Sequence, residues 1–377
     1  MISTRARRLT GFAALPLSVI AIAVFVDCVG DTPATPVPDS GVVDTGTTPD
    51  SATPDGGGSG DADASAPVVT EVATGLLHAC AVFSDGHVDC WGDNTYGQLG
   101  APIAQNGTCN GGTGTTFGCR VDPVRVAGIT NAKHIAAGAG FTCIIDAQNA
   151  VSCFGLNNAA QLGHPIGQGD AQCVGADSQA RACNATPTLV SNATGVAQIS
   201  LGAAHACIRT QANSVSCWGS NSQGELGIGT TAPFSATLVT PVGLPGPISD
   251  VTAGFNFDTC VTTVTGGQVW CWGFADWAQI GARPPPVARR HASVTAPRAL
   301  SGPRRSTAAP FDNYSRVWLG QSFSCAQTSG GGAVQCWGIP YSYKITAGLG
   351  VPNGTVVNEP IPAEAGTTGF EVRAQAA

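Results

Sequence analysis

Fourteen of the chain's fifteen cysteines fall into seven pairs spaced ten or eleven residues apart, and five of those pairs sit inside one recurring phrase. The phrase is a small-residue step, a cysteine, a short polar break, a second cysteine, an aromatic and a glycine. Its copies run His78-Ala79-Cys80 to Cys90-Trp91-Gly92, Phe141-Thr142-Cys143 to Cys153-Phe154-Gly155 and His205-Ala206-Cys207 to Cys217-Trp218-Gly219. Asp258-Thr259-Cys260 to Cys271-Trp272-Gly273 and Phe323-Ser324-Cys325 to Cys336-Trp337-Gly338 complete the set. The first cysteines lie 63, 64, 53 and 65 residues apart. A period of that size marks a repeat architecture.

Each copy reads as a β-hairpin. A β-prone step such as Ile199-Ser200-Leu201-Gly202 leads into a strand, a turn such as Ser84-Asp85-Gly86 and a second strand ending in aromatic-glycine. Cys80 and Cys90 are symmetric about Asp85, Cys143 and Cys153 about Gln148, and Cys207 and Cys217 about Ala212. Residues so placed face each other across an antiparallel ladder, at a separation that suits a disulfide. The last two units carry one more residue, at Gly266-Gly267 and Gly330-Gly331, and keep the symmetry. Structural zinc has no C-x-x-C knuckle here, and a catalytic thiol would be one cysteine beside a distant histidine rather than five matched pairs. Cys109/Cys119 and Cys173/Cys183 occupy glycine- and polar-rich stretches after units one and two, and are expected to staple long surface loops. Cys28 is left over.

A second signature follows the aromatic-glycine step. It reads Trp91-Gly92-Asp93-Asn94-Thr95-Tyr96-Gly97-Gln98-Leu99-Gly100, then Gly155-Leu156-Asn157-Asn158-Ala159-Ala160-Gln161-Leu162-Gly163 and Gly219-Ser220-Asn221-Ser222-Gln223-Gly224-Glu225-Leu226-Gly227. It drifts over Gly273–Gly281 and leaves a trace over Ile339–Gly350. Strands led by proline, Asp122-Pro123-Val124 and Thr186-Pro187-Thr188, are expected next. Residues 68–377 thereby resemble the regulator of chromosome condensation repeat family, with its cysteine-paired bacterial members the nearer likeness. The resemblance implies an all-β propeller of four-stranded blades, in rings that usually hold seven. Five clear units are present here, and Phe370–Ala377 reads as the start of another, cut short.

Composition agrees with a turn-rich β protein: 50 glycines and 25 prolines in 377 residues, and 11% charge. Residues 1–28 read as a secretory signal, with Arg5, Arg7 and Arg8 ahead of the apolar run Gly11–Val26. That run is short for a bilayer span. An odd cysteine directly after it makes Cys28 a candidate lipidation site, although Asp27 departs from the small residue such signals place there. The alternatives are an uncleaved anchor or ordinary secretion. Residues 29–67, rich in Pro, Thr, Ser, Gly and Asp, are expected to form a disordered spacer. Asp61-Ala62-Asp63 lacks the glycine and distal glutamate of a calcium loop. Three signal arginines, Asp27 and seven spacer aspartates account for −5 of the net −7, which leaves −2 on the propeller. So neutral a body lacks a phosphate-binding footprint and weighs against a chromatin role.

The slot two residues before the first cysteine holds His78, Phe141, His205, Asp258 and Phe323, a mixture that suits packing or a backbone hydrogen bond better than catalysis. Trp91, Trp218, Trp272 and Trp337 are expected in the blade core, and Trp270 and Trp277 are expected to be exposed, which makes them candidate binding residues. No nucleophile elbow, metal motif, P-loop or dinucleotide fingerprint occurs, so neither an enzyme nor a cofactor is expected. Between Gly281 and Trp318 lie seven arginines, among them Arg289, Arg290, Arg304 and Arg305, with Asp312 the only acid. These read either as a solvated inter-strand insertion or as a docking surface for an acidic protein, glycan or phosphate group. The expected function is non-catalytic recognition of a protein or glycan by an exported protein, held in the bacterial envelope or secreted. The rivals are a secreted enzyme inhibitor, which some relatives of this fold are, and an enzyme with a site on the propeller face. Guanine-nucleotide exchange, the family's best-known activity, needs a cytosolic protein.

Overall fold

The computed structural model describes residues 66–111, 115–230, 232–274, 299–305, 312–320, 323–330, 334–338 and 357–362, all within one compact unit, Ala64–Ala377. Cys28, the spacer over 29–65, Trp277, Arg289, Arg290, Ile339–Gly350 and Phe370–Ala377 lie outside the described residues.

Five antiparallel sheets follow one another along the described chain. The first holds β1 (Val69–Thr74), β2 (His78–Phe83), β3 (Val88–Asp93), β4 (Gly107–Asn110) and β5 (Thr116–Arg125) in the order β1-β2-β3-β5-β4. The second repeats it with β6 (Ala132–Ala137), β7 (Phe141–Asp146), β8 (Val151–Leu156), β9 (Ala171–Val174) and β10 (Ala180–Leu189). The third sheet is β11 (Val196–Leu201), β12 (His205–Thr210), β13 (Val215–Ser220) and β14 (Phe234–Val239). The fourth is β15 (Ile248–Ala253), β16 (Asp258–Thr263), β17 (Val269–Phe274) and β18 (Ala299–Arg305). The fifth is β19 (Tyr314–Leu319), β20 (Phe323–Thr328), β21 (Val334–Gly338) and β22 (Val357–Pro362).

The cysteine symmetry is the register of the central hairpin. Cys80 faces Cys90, Cys143 faces Cys153, Cys207 faces Cys217, Cys260 faces Cys271 and Cys325 faces Cys336. All five are disulfides with Cα atoms 4.0–4.1 Å apart, the close approach of a non-hydrogen-bonded pair. Glycine must follow the aromatic because the chain there turns to positive φ, +100° at Gly92 and +114° at Gly155. A Cβ on Gly92 would sit 2.5 Å from the Leu77 carbonyl oxygen, a contact no side chain can relieve.

Cys109–Cys119 and Cys173–Cys183 do not close loops, as their polar surroundings suggest. They join β4 to β5 and β9 to β10, hairpins that add a fifth strand to each of the first two sheets. Cys109 pairs in register with Phe117, and Cys119 with Gly107, so this bridge runs diagonally and its Cα atoms stand 5.8 Å apart. Nor do the prolines lead strands. Pro123 and Pro187 lie inside β5 and β10, where the pairing with β3 and β8 slips. A residue without an N–H is tolerated where the ladder is already broken.

Neighbouring sheets pack face to face, and the first strands stack in the series β1, β6, β11, β15, β19. One packing rule serves all four interfaces. The forward face of each sheet offers its disulfide and a valine: Val88, Val151, Val215 or Val269. The next sheet lays on it a first-strand pair, Ala132/Ile135, Val196/Ile199, Ile248/Val251 or Tyr314/Val317. The aromatic after its second cysteine joins them: Phe154, Trp218, Trp272 or Trp337, all fully buried. Trp91 departs from the expectation and is only half-buried. It stands on the face of the first sheet that no earlier sheet covers among the described residues.

Candidate binding surface

The repeated polar residues are built into the interfaces between sheets. His78 Nε2 lies 2.9 Å from Thr142 Oγ1 of the next sheet, and His205 Nε2 lies 3.0 Å from Thr259 Oγ1. Thr142 donates to the Gln98 carbonyl at 2.8 Å and Thr259 to the Glu225 carbonyl at 2.9 Å. Each hydroxyl therefore accepts from the imidazole, which fixes a neutral, Nε2-protonated ring. Burial alone pushes the His78 pKa down to about 4 and that of His205 to about 3. In the second copy the slot is Phe141, and the equivalent residue across the interface is Ala206. The slot thus corresponds to a residue one repeat on, 54 to 65 positions away: histidine with threonine, phenylalanine with alanine. Asp258 is the exception. It is fully buried, neither carboxylate oxygen has a hydrogen-bond partner, and desolvation raises its pKa to about 7.

The Asn-x-x-x-Gln/Glu-Leu-Gly signature folds back on itself. Asn94, Asn157 and Asn221 each accept through Oδ1 from the leucine N–H five residues on, at 3.1 Å. Gln98 and Gln161 accept through Oε1 from the N–H two residues back, at 2.8 Å. Glu225 does the same through Oε2 at 2.6 Å, and its other oxygen accepts from Ser220 Oγ at 2.6 Å. This fixes the main-chain carbonyl at the Gln/Glu position, which the next sheet uses as an acceptor. Where that sheet carries Phe154, Thr142 donates to it; where it carries Ala206, Trp218 Nε1 donates at 2.9 Å. In the fourth sheet Thr259 and Trp272 both donate to Glu225. The signature is structural.

The exposed edges of the first strands are satisfied in the same way. Glu71 Oε2 pairs with His134 Nδ1 at 3.0 Å, and the Ile135 N–H also faces the Glu71 carboxylate. Gln198 donates to Asp250 Oδ1 at 2.8 Å and accepts the Val251 N–H at 3.1 Å. Asp250 Oδ2 accepts the Val317 N–H at 3.3 Å, and Asp250 Oδ1 lies 3.8 Å from Arg316 Nε. Side chains of one sheet so replace the missing ladder partner of the next. Burial raises the pKa of Glu71 and Asp250, while the bonds they accept oppose that rise.

The surface differs from repeat to repeat at its outer rim. The strands that carry the two staples expose apolar side chains: Val121 on β5 is 80% exposed, Val174 on β9 61% and Leu189, where β10 pairs with β8, 62%. The hairpin of the second sheet is braced against the signature loop of the first. Arg181 Nη1 donates to Tyr96 Oη at 3.1 Å, and the guanidinium stands 6.0 Å from that ring centroid. Arg181 also pairs with Asp177 and holds its carboxyl well below the usual range. No group of three or more His, Cys, Asp or Glu among the described residues is placed to hold a metal ion. No helix there is long and apolar enough to cross a membrane.

The arginine-rich stretch is not a single loop. Arg304 and Arg305 belong to β18, in register with Cys271 and Trp270, and Arg316 lies on β19 beside Asp250. Three-dimensional pairing draws these arginines into strands that their charge does not suggest. Trp270 is half-buried against the cluster around Val251 and Trp272, not exposed, because its strand lies inside the fourth sheet. The sequence signal for the inter-sheet hydrogen bonds was present in the His–Thr and Phe–Ala correspondence, and was missed because its two halves lie a full repeat apart.

Residues 69–98, 132–161 and 196–225, and again 85–145, match the regulator of chromosome condensation (RCC1) repeat. Protein pim1 of Schizosaccharomyces pombe is 27% identical over 229 residues, which cover 57% of this chain and 39% of that protein. The human probable E3 ubiquitin-protein ligase HERC3 is 28% identical over 161 residues, 42% of this chain and 13% of its own length. The chain thus spans well under half of either relative. Among solved structures, human WBSCR16 superposes with a TM-score of 0.60 at 17% identity, covering 80% of this chain and 68% of that one. Prp20p of Saccharomyces cerevisiae, whose structure was described with its binding to Gsp1p and histones, gives 0.57 at 20% identity, covering 80% and 64%. With the five sheets and their register, these likenesses show a β-propeller fold in which residues 69–161 and 196–225 match the regulator of chromosome condensation repeat.

Proposed function

We propose that this protein is an exported, non-catalytic binding protein that recognises a protein partner through the outer rim of its first two sheets. The observation that carries this reading is the pair of disulfide-stapled hairpins, β4–β5 and β9–β10. They are disulfide-closed, adjacent and absent from the other three sheets among the described residues, and their strands present Val121, Val174 and Leu189 to solvent. Stiff apolar anchors on a polar rim are the kind of surface that proteins bind. Seven disulfides suit an oxidising compartment. That agrees with the basic-then-apolar start of the chain, and with Cys28 as an anchor point at the head of an extended spacer. It opposes a cytosolic exchange activity of the kind the family is known for. Arg289 and Arg290 are a second candidate contact, through capture of carboxylates.

The test uses the full chain as bait in envelope and extracellular fractions, followed by hydrogen-exchange footprinting of the captured complex. Protection over 107–125 and 171–189 is expected, and Val121→Asp with Val174→Asp should weaken binding by about tenfold or more. A footprint confined to other sheets, or a partner bound equally well by the double variant, overturns the reading.

A further inference from the structure

Four joints link the five sheets, and the slot two residues before the first cysteine is filled differently in each. His78 reaches Thr142 and His205 reaches Thr259, while Phe141 stands opposite Ala206 and both are fully buried. In the fourth joint the register sets Asp258 opposite Ser324, again both fully buried. The slot side chain occupies the space over the glycine that opens its loop. A Cβ on Gly75 or Gly202 would stand 2.3 Å from Cε1 of His78 or His205, and one on Gly254 would stand 2.1 Å from Asp258 Oδ1. Aspartate is shorter than histidine, so it fills the near part of the slot and stops short of the next sheet. Neither of its oxygens has a hydrogen-bond partner. Thr262 Oγ1, on the same face of β16, and Asn256 Nδ2, in the loop ahead of it, are buried and unpartnered as well. That loop is also one residue longer: four positions separate Gly254 from Asp258, where three separate Gly75 from His78. The chain absorbs the extra residue by turning Phe257 to φ +62°, a left-handed conformation that is costly for a bulky side chain.

No charge compensates the Asp258 carboxyl. In front of β16, the titratable groups among the described residues are Asp250 on β15, and Asp312, Tyr314 and Arg316 at the start of β19. Asp250 and Arg316 lie beside each other at Thr262, the far end of the strand, and Tyr314 bonds Gln335 with Asp312 near it. Behind β16, His205 and the Glu225 carbonyl meet Thr259 on the opposite face, and Arg209 bonds Gln198 and Asn213. Burial pushes the Asp258 pKa up to about 7 with no neighbouring charge contributing.

We infer that the joint between the fourth and fifth sheets is a pH-responsive clasp, shut while Asp258 carries its proton and parted when that carboxyl ionises. A buried carboxylate without partners is so unfavourable that the group either stays protonated or reaches water. Water reaches it when residues 254–257 lift away from β19 and β20, a movement that also releases the strained turn at Phe257. The other three slots hold His or Phe, so ionisation of an acid acts at this joint alone. The sense of the response follows from the two states. The parted joint returns the carboxyl to its ordinary value of 3.8, whereas the shut joint keeps the proton up to about pH 7. Parting is therefore favoured about tenfold per unit of pH between those values and changes no further above them.

The experiment is hydrogen exchange with mass spectrometry on the oxidised full chain from pH 5 to pH 8, with the intrinsic chemical rate divided out. Opening of 258–263, 314–319 and 323–328 should rise about tenfold per unit of pH up to about 7 and then level off. Opening of 141–146 and 205–210, which belong to the other joints, should stay constant. Asp258→Asn should abolish the rise. Asp258→His with Ser324→Thr writes the His78–Thr142 pair into the fourth joint, and should abolish the rise and lower the opening at every pH. Should that double variant fail to fold, Asp258→Asn alone decides. A rise of equal size in 141–146 overturns the inference, because the whole fold and not one joint would then be opening. So does a parent with no rise, or a rise that persists in Asp258→Asn.

Discussion

Asp258 should make the protein less stable as pH rises from about 4 to 7, and Asn at this position should remove that dependence. The side chain is fully buried in the slot that elsewhere holds His or Phe, and both oxygens lack partners. Its pKa rises from 3.8 to about 7, from desolvation. Between those two values the unfolded chain releases a proton that the folded chain retains, so each unit of pH favours unfolding. Three units at about 1.36 kcal/mol each amount to roughly 4 kcal/mol, an upper figure because a buried carboxylate can recruit water. The contribution is complete below pH 4 and lost above pH 7. Two histidines act in the opposite sense. The depressed values at His78 and His205 weaken the fold as pH falls below 6.5, but they are common to parent and variant. Urea unfolding of the oxidised protein, parent against Asp258→Asn, should therefore show a gap that widens in the variant's favour between pH 5 and pH 8. A difference that does not change with pH would show that Asp258 is ionised and solvated in the native state, and would refute the reasoning.

Other consequences follow from the same interfaces. Thr142→Ala should cost about 1–3 kcal/mol by leaving His78 Nε2 unpaired in the core, and adding His78→Phe should recover much of it, since Phe141 already faces Ala206; a double-mutant cycle in urea reads the coupling. Replacing Cys143 and Cys153 by alanine should cost about 2–3 kcal/mol in the chain-entropy account, seen as a lower urea midpoint, and non-reducing peptide mapping should return all seven pairs intact in the parent. Arg289→Ser with Arg290→Ser should leave the melting temperature unchanged. Arg304→Ser with Arg305→Ser should lower it, because those two residues sit in a strand.

The hairpins were legible because both halves of the signal lie within eleven residues: a cysteine, a turn and a second cysteine report a register directly. The stapled strands were not. Gly107–Asn110 and the start of β5 have the composition of a loop, and they become strands because β3 offers an edge and the disulfide holds the new hairpin closed against it. Arg304 and Arg305 were misplaced for the same reason, since pairing with β17 outweighs local charge. Trp91 was expected to be buried because its sequence context equals that of Trp218. Only the order of sheets shows that nothing described precedes the first one.

The interfaces also decide what the repeated residues can do. Histidine, asparagine, glutamine and tryptophan at fixed spacing look like the parts of a site, yet each is committed to a bond between sheets or within a loop. His78 and His205 are neutral and sealed, the asparagines hold leucine N–H groups, and Trp218 and Trp272 donate to a carbonyl of the preceding loop. A residue with such a commitment cannot also engage a ligand without loosening the joint it forms. For the proposed binding role this leaves the parts in which the described repeats differ, the stapled hairpins of the first two sheets. The regularity that identifies the fold marks the residues unavailable for binding, and the departures from it mark where binding is to be sought.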